Sequence, residues 1–253
     1  MCAFFYLASS IMNLLKKKRD NSRARIVIES AHSNDESAQW ENNMKGLFIT
    51  FEGPDGSGKT TQIKRLKEYI EEKGYEAVLT REPGGTKISE KIREIILDKT
   101  HVEMDYVTEA LLYAASRAQH VAELIQPNLD KGITVICDRF VDSSIAYQGY
   151  GRHLGDSVKI INDIAIRGCV PDATFLLKVD PKLLVNRRSL GEMDRLELEK
   201  IEYHQAVYQA YLILEKQYPD RIIGIDANRS ISEVSEEILR RIDFLILAKA
   251  KEI

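Results

Sequence analysis

The chain has 253 residues, of which 44% are hydrophobic and 30% are charged, an ordinary composition for a globular protein. Its formal net charge of −3 argues against a general nucleic-acid binder, because such proteins normally carry a surplus of basic residues. No stretch approaches the roughly 20 apolar residues that a membrane-spanning helix needs. We therefore predict neither a nucleic-acid partner nor a membrane partner.

The three cysteines, Cys2, Cys137 and Cys169, do not have the spacing of a metal site or of a disulfide framework. Cys137 lies in an apolar run, which predicts a buried and inert thiol. Nothing in this pattern requires an oxidising compartment, so we expect a cytoplasmic protein.

Residues 1–43 are predicted to form an extension outside the folded domain. Residues 1–12 are apolar but short, and the basic cluster 16–19 follows them, which is the reverse of the order in a secretory signal. Residues 20–43 are polar and without periodicity, which predicts disorder or weak order. The extension is either an upstream start or dispensable tail, or a basic amphipathic organelle-targeting leader.

Regular elements are predicted from residue 44 onward, where short apolar runs alternate with helical periodicity. The first helix, residues 60–73, places Ile63, Leu66 and Ile70 on one face and ends at Gly74. A loop at 81–86 leads into a helix through Leu97, and a long helix is predicted over 106–129. The predicted strands are residues 47–51, 75–80, 133–137, 173–179 and 221–225.

Helices between successive strands imply parallel pairing through crossover connections. The strands lack clean alternation, as expected of parallel strands that are buried on both faces. We therefore predict one α/β domain, residues 44–253, with about five parallel strands covered by helices on both faces.

The pattern G-x-x-x-x-G-K-[ST] at residues 53–60, between a predicted strand and a predicted helix, is that of a phosphate-binding P-loop. Lys59 is expected to reach the β- and γ-phosphates of ATP, and Thr60 to bind Mg²⁺ together with Asp138, which follows an apolar strand. The alternatives are a glycine-rich structural turn, and an Asp138 carboxylate paired with Arg139. The predicted ATP phosphate-binding residues are Gly53, Pro54, Asp55, Gly56, Ser57, Gly58, Lys59, Thr60 and Thr61.

Four downstream motifs follow the P-loop in order: TREPGGT at 80–86, YAASR at 113–117, DRF at 138–140 and DSSIAYQGY at 142–150. With the P-loop, they closely resemble bacterial thymidylate kinase (dTMP kinase), a P-loop nucleoside monophosphate kinase. The resemblance covers about four-fifths of the chain and finds no counterpart for residues 1–43. It implies a P-loop NTPase fold, a homodimer, and transfer of the ATP γ-phosphoryl to dTMP, giving dTDP and ADP for dTTP biosynthesis.

On the sugar and phosphate of dTMP, the resemblance implies that Asp55 accepts a hydrogen bond from the 3′-hydroxyl. Arg93 and Arg139 are expected to bind the 5′-phosphate, with Arg81 close by. Planar guanidinium groups suit a dianionic phosphate. The alternatives are an exposed helix charge for Arg93 and a loop-stabilising role for Arg81.

On the base, the resemblance implies that Tyr113 stacks on thymine, at a position where the family usually has Phe. Arg117 is expected to donate to a thymine carbonyl, with Ser144 and Gln148 at the base edge. Tyr147 is expected to exclude a ribose 2′-hydroxyl. The alternative for Tyr113 is a core aromatic.

Position 56 is Gly, so the P-loop carries no arginine, and the resemblance implies that a small mobile lid at about 186–195 supplies the positive charge. Arg187, Arg188 and Arg195 are available there, although related lids often hold a denser basic cluster. The predicted catalytic residues are Lys59, Arg139, Arg187 and Arg188. The rival hypotheses are a kinase for another nucleotide, and a P-loop ATPase or regulatory ATP-binding module without a nucleotide acceptor.

Overall fold

The computed structural model describes residues 45–184 and 194–249. Within these residues, five strands form one parallel sheet in the order β2-β3-β1-β4-β5, which confirms the predicted α/β sheet. The strands are β1 (Phe48–Glu52), β2 (Ala77–Arg81), β3 (Thr134–Asp138), β4 (Ala173–Lys178) and β5 (Ile222–Asp226). The predicted extension 1–43 and most of the predicted lid lie outside the described residues, so both stay predictions.

Helices connect and cover the strands. They are α1 (Lys59–Glu72), α2 (Lys87–Leu97), α3 (Tyr106–His120), α4 (Gln126–Leu129), α5 (Val141–Ser144), α6 (Asp156–Ile166), α7 (Pro181–Leu184), α8 (Ile201–Gln217) and α9 (Ile231–Lys249). The helix predicted over 106–129 is α3 and α4 joined by a π-helical turn, Val121–Ile125. Among the described residues, no helix combines the length and the apolar character needed to cross a membrane.

The core lies on both faces of the sheet, and successive residues of β1 contribute to opposite sides. Ile49 and Phe51 pack with Leu66 of α1. Phe48 points the other way and meets Phe140, with ring centroids 4.9 Å apart. Burial on both faces explains why the strand sequences show no polar alternation.

The parallel register places the carboxyl ends of β1, β2 and β3 side by side. Asp138, the last residue of β3, is paired with Phe51 of β1 and with Arg81 of β2. The loops that follow these strands therefore meet at one edge of the sheet, where open α/β sheets bind their ligands.

Candidate active site

The loop after β1 has the shape of an anion cradle. Gly53 has a φ of 132°, and a Cβ at this position would lie 2.5 Å from the Leu177 carbonyl oxygen, so only glycine fits. Gly58 caps the start of α1 with a φ of 95°. The positive end of α1 therefore faces the space that this loop encloses.

Lys59 lies across the same loop. Its Nζ donates to the carbonyl oxygens of Gly53 and Pro54, each at 3.0 Å, and lies 3.6 Å from Oδ1 of Asp55. Burial, and then the neighbouring Arg139 charge, lowers the pKa of Lys59. An anion brought to this loop would stabilise the charged ammonium group.

Arg139 and Arg93 line the same site as the P-loop residues Asp55 and Lys59. Arg139 Nη2 donates to Asp55 Oδ1 at 2.7 Å, and Arg93 Nη1 donates to the Pro83 carbonyl oxygen at 2.8 Å. Burial, and then the charge of Arg81, lowers the pKa of Arg93. The Arg93 and Arg81 guanidinium groups repel each other, so an anionic ligand beside them would be favoured.

Arg81 also lines the cavity, but its guanidinium is held by Glu90 of α2. Nη1 donates to Oε1 at 2.7 Å and Nη2 donates to Oε2 at 3.0 Å. The same Oε1 accepts from the Gly85 amide at 2.7 Å. Glu90 thus fixes the loop 81–86 by binding both Arg81 and Gly85. This contact gives Arg81 a loop-stabilising role, the alternative to phosphate binding stated above.

The far end of the site is aromatic and largely buried. Tyr113 comes from α3, and Tyr147 comes from a π-helical segment, Ile145–Gly151, that follows α5. Arg139 lies over the Tyr147 ring, with Cζ 5.2 Å from the centroid. A flat apolar wall next to cationic groups suits a base attached to a phosphate.

These groups surround one cavity of about 430 Å³. The predicted residues that line it are Asp55, Gly56, Gly58, Lys59, Thr60, Arg81, Arg93, Tyr113, Arg117, Asp138, Arg139, Ser144, Tyr147 and Gln148. The other predicted loop residues, Gly53, Pro54, Ser57 and Thr61, do not line it. The P-loop and the predicted acceptor pocket are therefore two parts of a single site.

Comparison with known proteins agrees with this arrangement. A family profile described as thymidylate kinase matches residues 51–238. The thymidylate kinase of Bacillus pumilus is 49% identical over 201 residues, covering 78% of this chain and 95% of the relative. That of Clostridium novyi is 50% identical over 198 residues, covering 77% of this chain and 97% of the relative. The chain belongs to the thymidylate kinase family.

A solved structure supports the same fold. The crystal structure of thymidylate kinase from Ehrlichia chaffeensis matches with a TM-score of 0.65 and 35% identity, covering 79% of this chain and 99% of that one. The predicted family and the predicted P-loop NTPase fold are both confirmed.

The oxygen ligands in the cavity fit a magnesium ion that is bound together with a nucleotide. Oδ1 of Asp138 is buried and has no hydrogen-bond partner among the described residues, and the Thr60 side chain is exposed in the same cavity. Among those residues no group of three or more His, Cys, Asp or Glu side chains converges on a metal position. Mg²⁺ commonly uses one or two carboxylates plus substrate phosphates, so Asp138 and Thr60 would suffice.

Arg117 is more constrained than the family resemblance alone implies. Its side chain is 1% exposed, and its Nε donates to Glu82 Oε2 at 2.7 Å. Nη1 donates to Ser144 Oγ at 2.9 Å and to Asn162 Oδ1, and Nη2 donates to the Phe140 carbonyl oxygen at 3.0 Å. These bonds use four of the five N–H groups of a guanidinium, which leaves one on Nη2 for a ligand.

A buried carboxylate beside Arg139 was not predicted from the sequence: Oε2 of Glu52 lies 4.0 Å from Arg139 Nη1. Glu52 ends β1, and its Oε1 accepts from the backbone amides of Phe140 at 2.8 Å and Ser143 at 3.1 Å. Its Oε2 accepts from Tyr211 Oη at 2.7 Å. Burial raises the pKa of Glu52. The sequence did offer one signal for Glu52: it is a carboxylate at the end of a buried strand, directly before the P-loop.

The predicted catalytic residues Arg187 and Arg188 lie outside the described residues, whereas Arg195 is described. Its guanidinium pairs with Glu109 at 2.7 Å, and its Nε donates to the Ile96 carbonyl oxygen at 2.9 Å. Glu109 was also missed by the sequence analysis, because a carboxylate within a helical stretch gives no local signal of burial.

Proposed function

We propose that this chain transfers the γ-phosphoryl group of ATP to dTMP, giving ADP and dTDP. The observation that carries the proposal is that the P-loop and the pocket of arginines and tyrosines line one cavity. Two nucleotides bound there would meet phosphate to phosphate. The rival hypothesis, an ATPase or regulatory module without a nucleotide acceptor, leaves unexplained why Arg93, Arg139 and Tyr113 line the same cavity as the P-loop.

The P-loop amides and Lys59 would hold the phosphates of ATP, while Arg93 and Arg139 would hold the acceptor phosphate. Tyr113 would stack on thymine, with Tyr147 placed against the sugar. Asp55 would accept from the 3′-hydroxyl, and its ion pair with Arg139 would hold the carboxylate between the two nucleotides. Arg117, Ser144 and Gln148 would complete the base edge.

Phosphoryl transfer requires little covalent work from the protein, because the acceptor phosphate is already a nucleophile near neutral pH. The residues act by alignment and by neutralising charge on the transferring group. Lys59 and Arg139 provide this charge from the described part of the chain, and Arg187 or Arg188 is the predicted lid contribution. Mg²⁺ held by Thr60 and Asp138 would neutralise charge on the β- and γ-phosphates.

A homodimer would be built on the outer faces of α3 and α6. Leu111 is 50% exposed, and Ile160 and Ile164 are 61% and 73% exposed. Covering such apolar side chains favours self-association. We expect a dimer by sedimentation velocity and a monomer for Ile164→Glu; a monomeric wild type contradicts the proposed homodimer.

A reducing cytoplasm suits Cys137 and Cys169, which are buried free thiols.

The decisive experiment measures ADP formation with dTMP, dUMP, AMP or no acceptor. We expect fast ADP formation only with dTMP, slower formation with dUMP, and a low background otherwise. Equal rates with and without acceptor would identify an ATPase instead. Preference for AMP would identify a kinase for another nucleotide.

A further inference from the structure

Glu109 is the most completely buried carboxylate near the base end of the cavity, and the proposed chemistry does not use it. It lies on α3 with 0% exposure. Oε1 accepts from Gln148 Nε2 at 2.9 Å, and Oε2 pairs with Arg152 Nη2 at 3.2 Å and Arg195 Nη2 at 2.7 Å. Two arginines thus hold the carboxylate against one side-chain amide.

The contact fixes which end of the Gln148 amide faces Glu109. An ionised carboxylate accepts hydrogen bonds but cannot donate them, so only the NH₂ group of Gln148 can face Glu109. The Oε1 end must then point away from Glu109. Gln148 is 1% exposed and lines the cavity, and its Oε1 has no hydrogen-bond partner among the described residues.

A buried carbonyl oxygen without a partner favours a ligand that brings a donor. Thymine and uracil carry a hydrogen on N3, whereas N3 of cytosine carries a lone pair and would face the Gln148 oxygen as a second acceptor. Sites built around a hydrogen bond discriminate strongly against ligands that cannot form it. The direction of one amide therefore decides between the two classes of pyrimidine.

We propose that Glu109 is a positioning residue that orients the Gln148 carbonyl toward the base and so makes the pocket select pyrimidines with an N3–H group over cytosine. The inference rests on the proposed function, because it assigns the base subsite of the same cavity. Glu109 acts through Gln148 and touches no reacting atom.

The variant Glu109→Gln, made in the full chain, tests this positioning role. The new amide can donate to Gln148 as well as accept from it, so the Gln148 amide is free to reverse. We expect the ratio of the dTMP to dCMP affinities, measured by calorimetry, to fall at least tenfold. The KM for ATP should stay within twofold, because Glu109 is not among the residues that line the cavity.

Glu199→Gln is the control. Glu199 pairs with the same arginine, with Arg152 Nη1 2.7 Å from Oε1, but makes no hydrogen bond to Gln148 among the described residues. It should keep the wild-type selectivity within twofold. A loss in Glu199→Gln as large as that in Glu109→Gln would overturn the proposal, because the arginine cluster would then matter rather than the amide.

Loss of a buried charge can unfold a protein, so Glu109→Asp is the second variant. It keeps the negative charge between Arg152 and Arg195 but withdraws the carboxylate from Gln148, and the same loss of selectivity is expected. If a folded Glu109 variant keeps the wild-type selectivity for dTMP over dCMP, this inference is overturned but the proposed function is not. A wild-type enzyme that does not phosphorylate dTMP overturns the proposed function instead.

Discussion

Nη2 of Arg139 lies 2.7 Å from Oδ1 of Asp55, so one ion pair joins the P-loop to the loop that follows β3. Arg139 adopts a φ of 67°, which few residues other than glycine accept, and its Nη1 lies 3.3 Å from Tyr211 Oη. Burial alone would lower the pKa of Arg139, but Asp55 leads the groups that raise it well above its ordinary value. The guanidinium therefore stays charged wherever the enzyme works.

Arg139→Lys should lower kcat/KM for dTMP on the order of 100-fold or more. Lysine keeps the charge but not the planar pair of donors, and losing about two charge-assisted hydrogen bonds of at least roughly 1.5 kcal/mol each gives this factor. Binding of a non-hydrolysable ATP analogue, measured by calorimetry, should change less than threefold. A variant with wild-type kcat/KM would remove Arg139 from the acceptor site.

Arg117→Ala should destabilise the fold as well as damage dTMP use. Arg117 and Glu82 pair at 2.7 Å with side chains that are 1% and 2% exposed, so the substitution leaves a buried carboxylate with less compensation. We expect the free energy of unfolding in urea to fall by about 3–5 kcal/mol. The matched control is Arg81→Ala, whose pair with Glu90 is 47% and 37% exposed and should cost less than about 1 kcal/mol. Equal losses would contradict the burial argument.

The sheet and the P-loop were predictable because their signals are local. A buried strand, a glycine-rich loop and a helix follow one another from residue 47 to 73, and each observed boundary lies within two residues of its prediction. The long helix was only partly predictable, because apolar periodicity does not reveal the π-helical turn at Val121–Ile125.

The buried carboxylate of Glu109 was not predictable. The partners of Glu109 lie 39, 43 and 86 positions away, at Gln148, Arg152 and Arg195 (148 − 109, 152 − 109 and 195 − 109). Such pairing is decided by the packing of distant segments, and a single sequence does not show it. The acceptor-side residues were named from the resemblance rather than from spacing.

Tyr113→Phe should leave dTMP binding within threefold, whereas Tyr113→Leu should raise the Kd for dTMP roughly 5- to 150-fold. Stacking of an aromatic ring on a base contributes about 1–3 kcal/mol, and phenylalanine keeps the ring while leucine does not. Calorimetry with dTMP measures both variants, and ATP-analogue binding is the control. Equal effects of the two substitutions would show that the ring is only core packing.

dUMP should be a poorer acceptor than dTMP by roughly 10- to 200-fold in kcat/KM, because it lacks one methyl group worth about 1–3 kcal/mol in an apolar pocket. Both bases carry N3–H, so this factor is independent of Gln148 and should persist in Glu109→Gln. Equal turnover of dUMP and dTMP would contradict a pocket fitted to the methyl group.

Cys169 should be nearly unreactive toward iodoacetamide in the native protein at pH 8. Burial raises its pKa to about 11, so about one thiol in a thousand is ionised at pH 8, against about a quarter for an ordinary thiol of pKa ~8.5. Alkylation should accelerate as the pH rises toward 11, because only the thiolate reacts.

Peptide mass spectrometry measures the alkylation rate of Cys169, and the same cysteine in urea-unfolded protein is the comparison. Burial also raises the pKa of Cys137 well above its ordinary value, and its side chain is 0% exposed against 7% for Cys169, so Cys137 should react more slowly still. Native Cys169 that labels at the unfolded rate at pH 8 would contradict the burial argument.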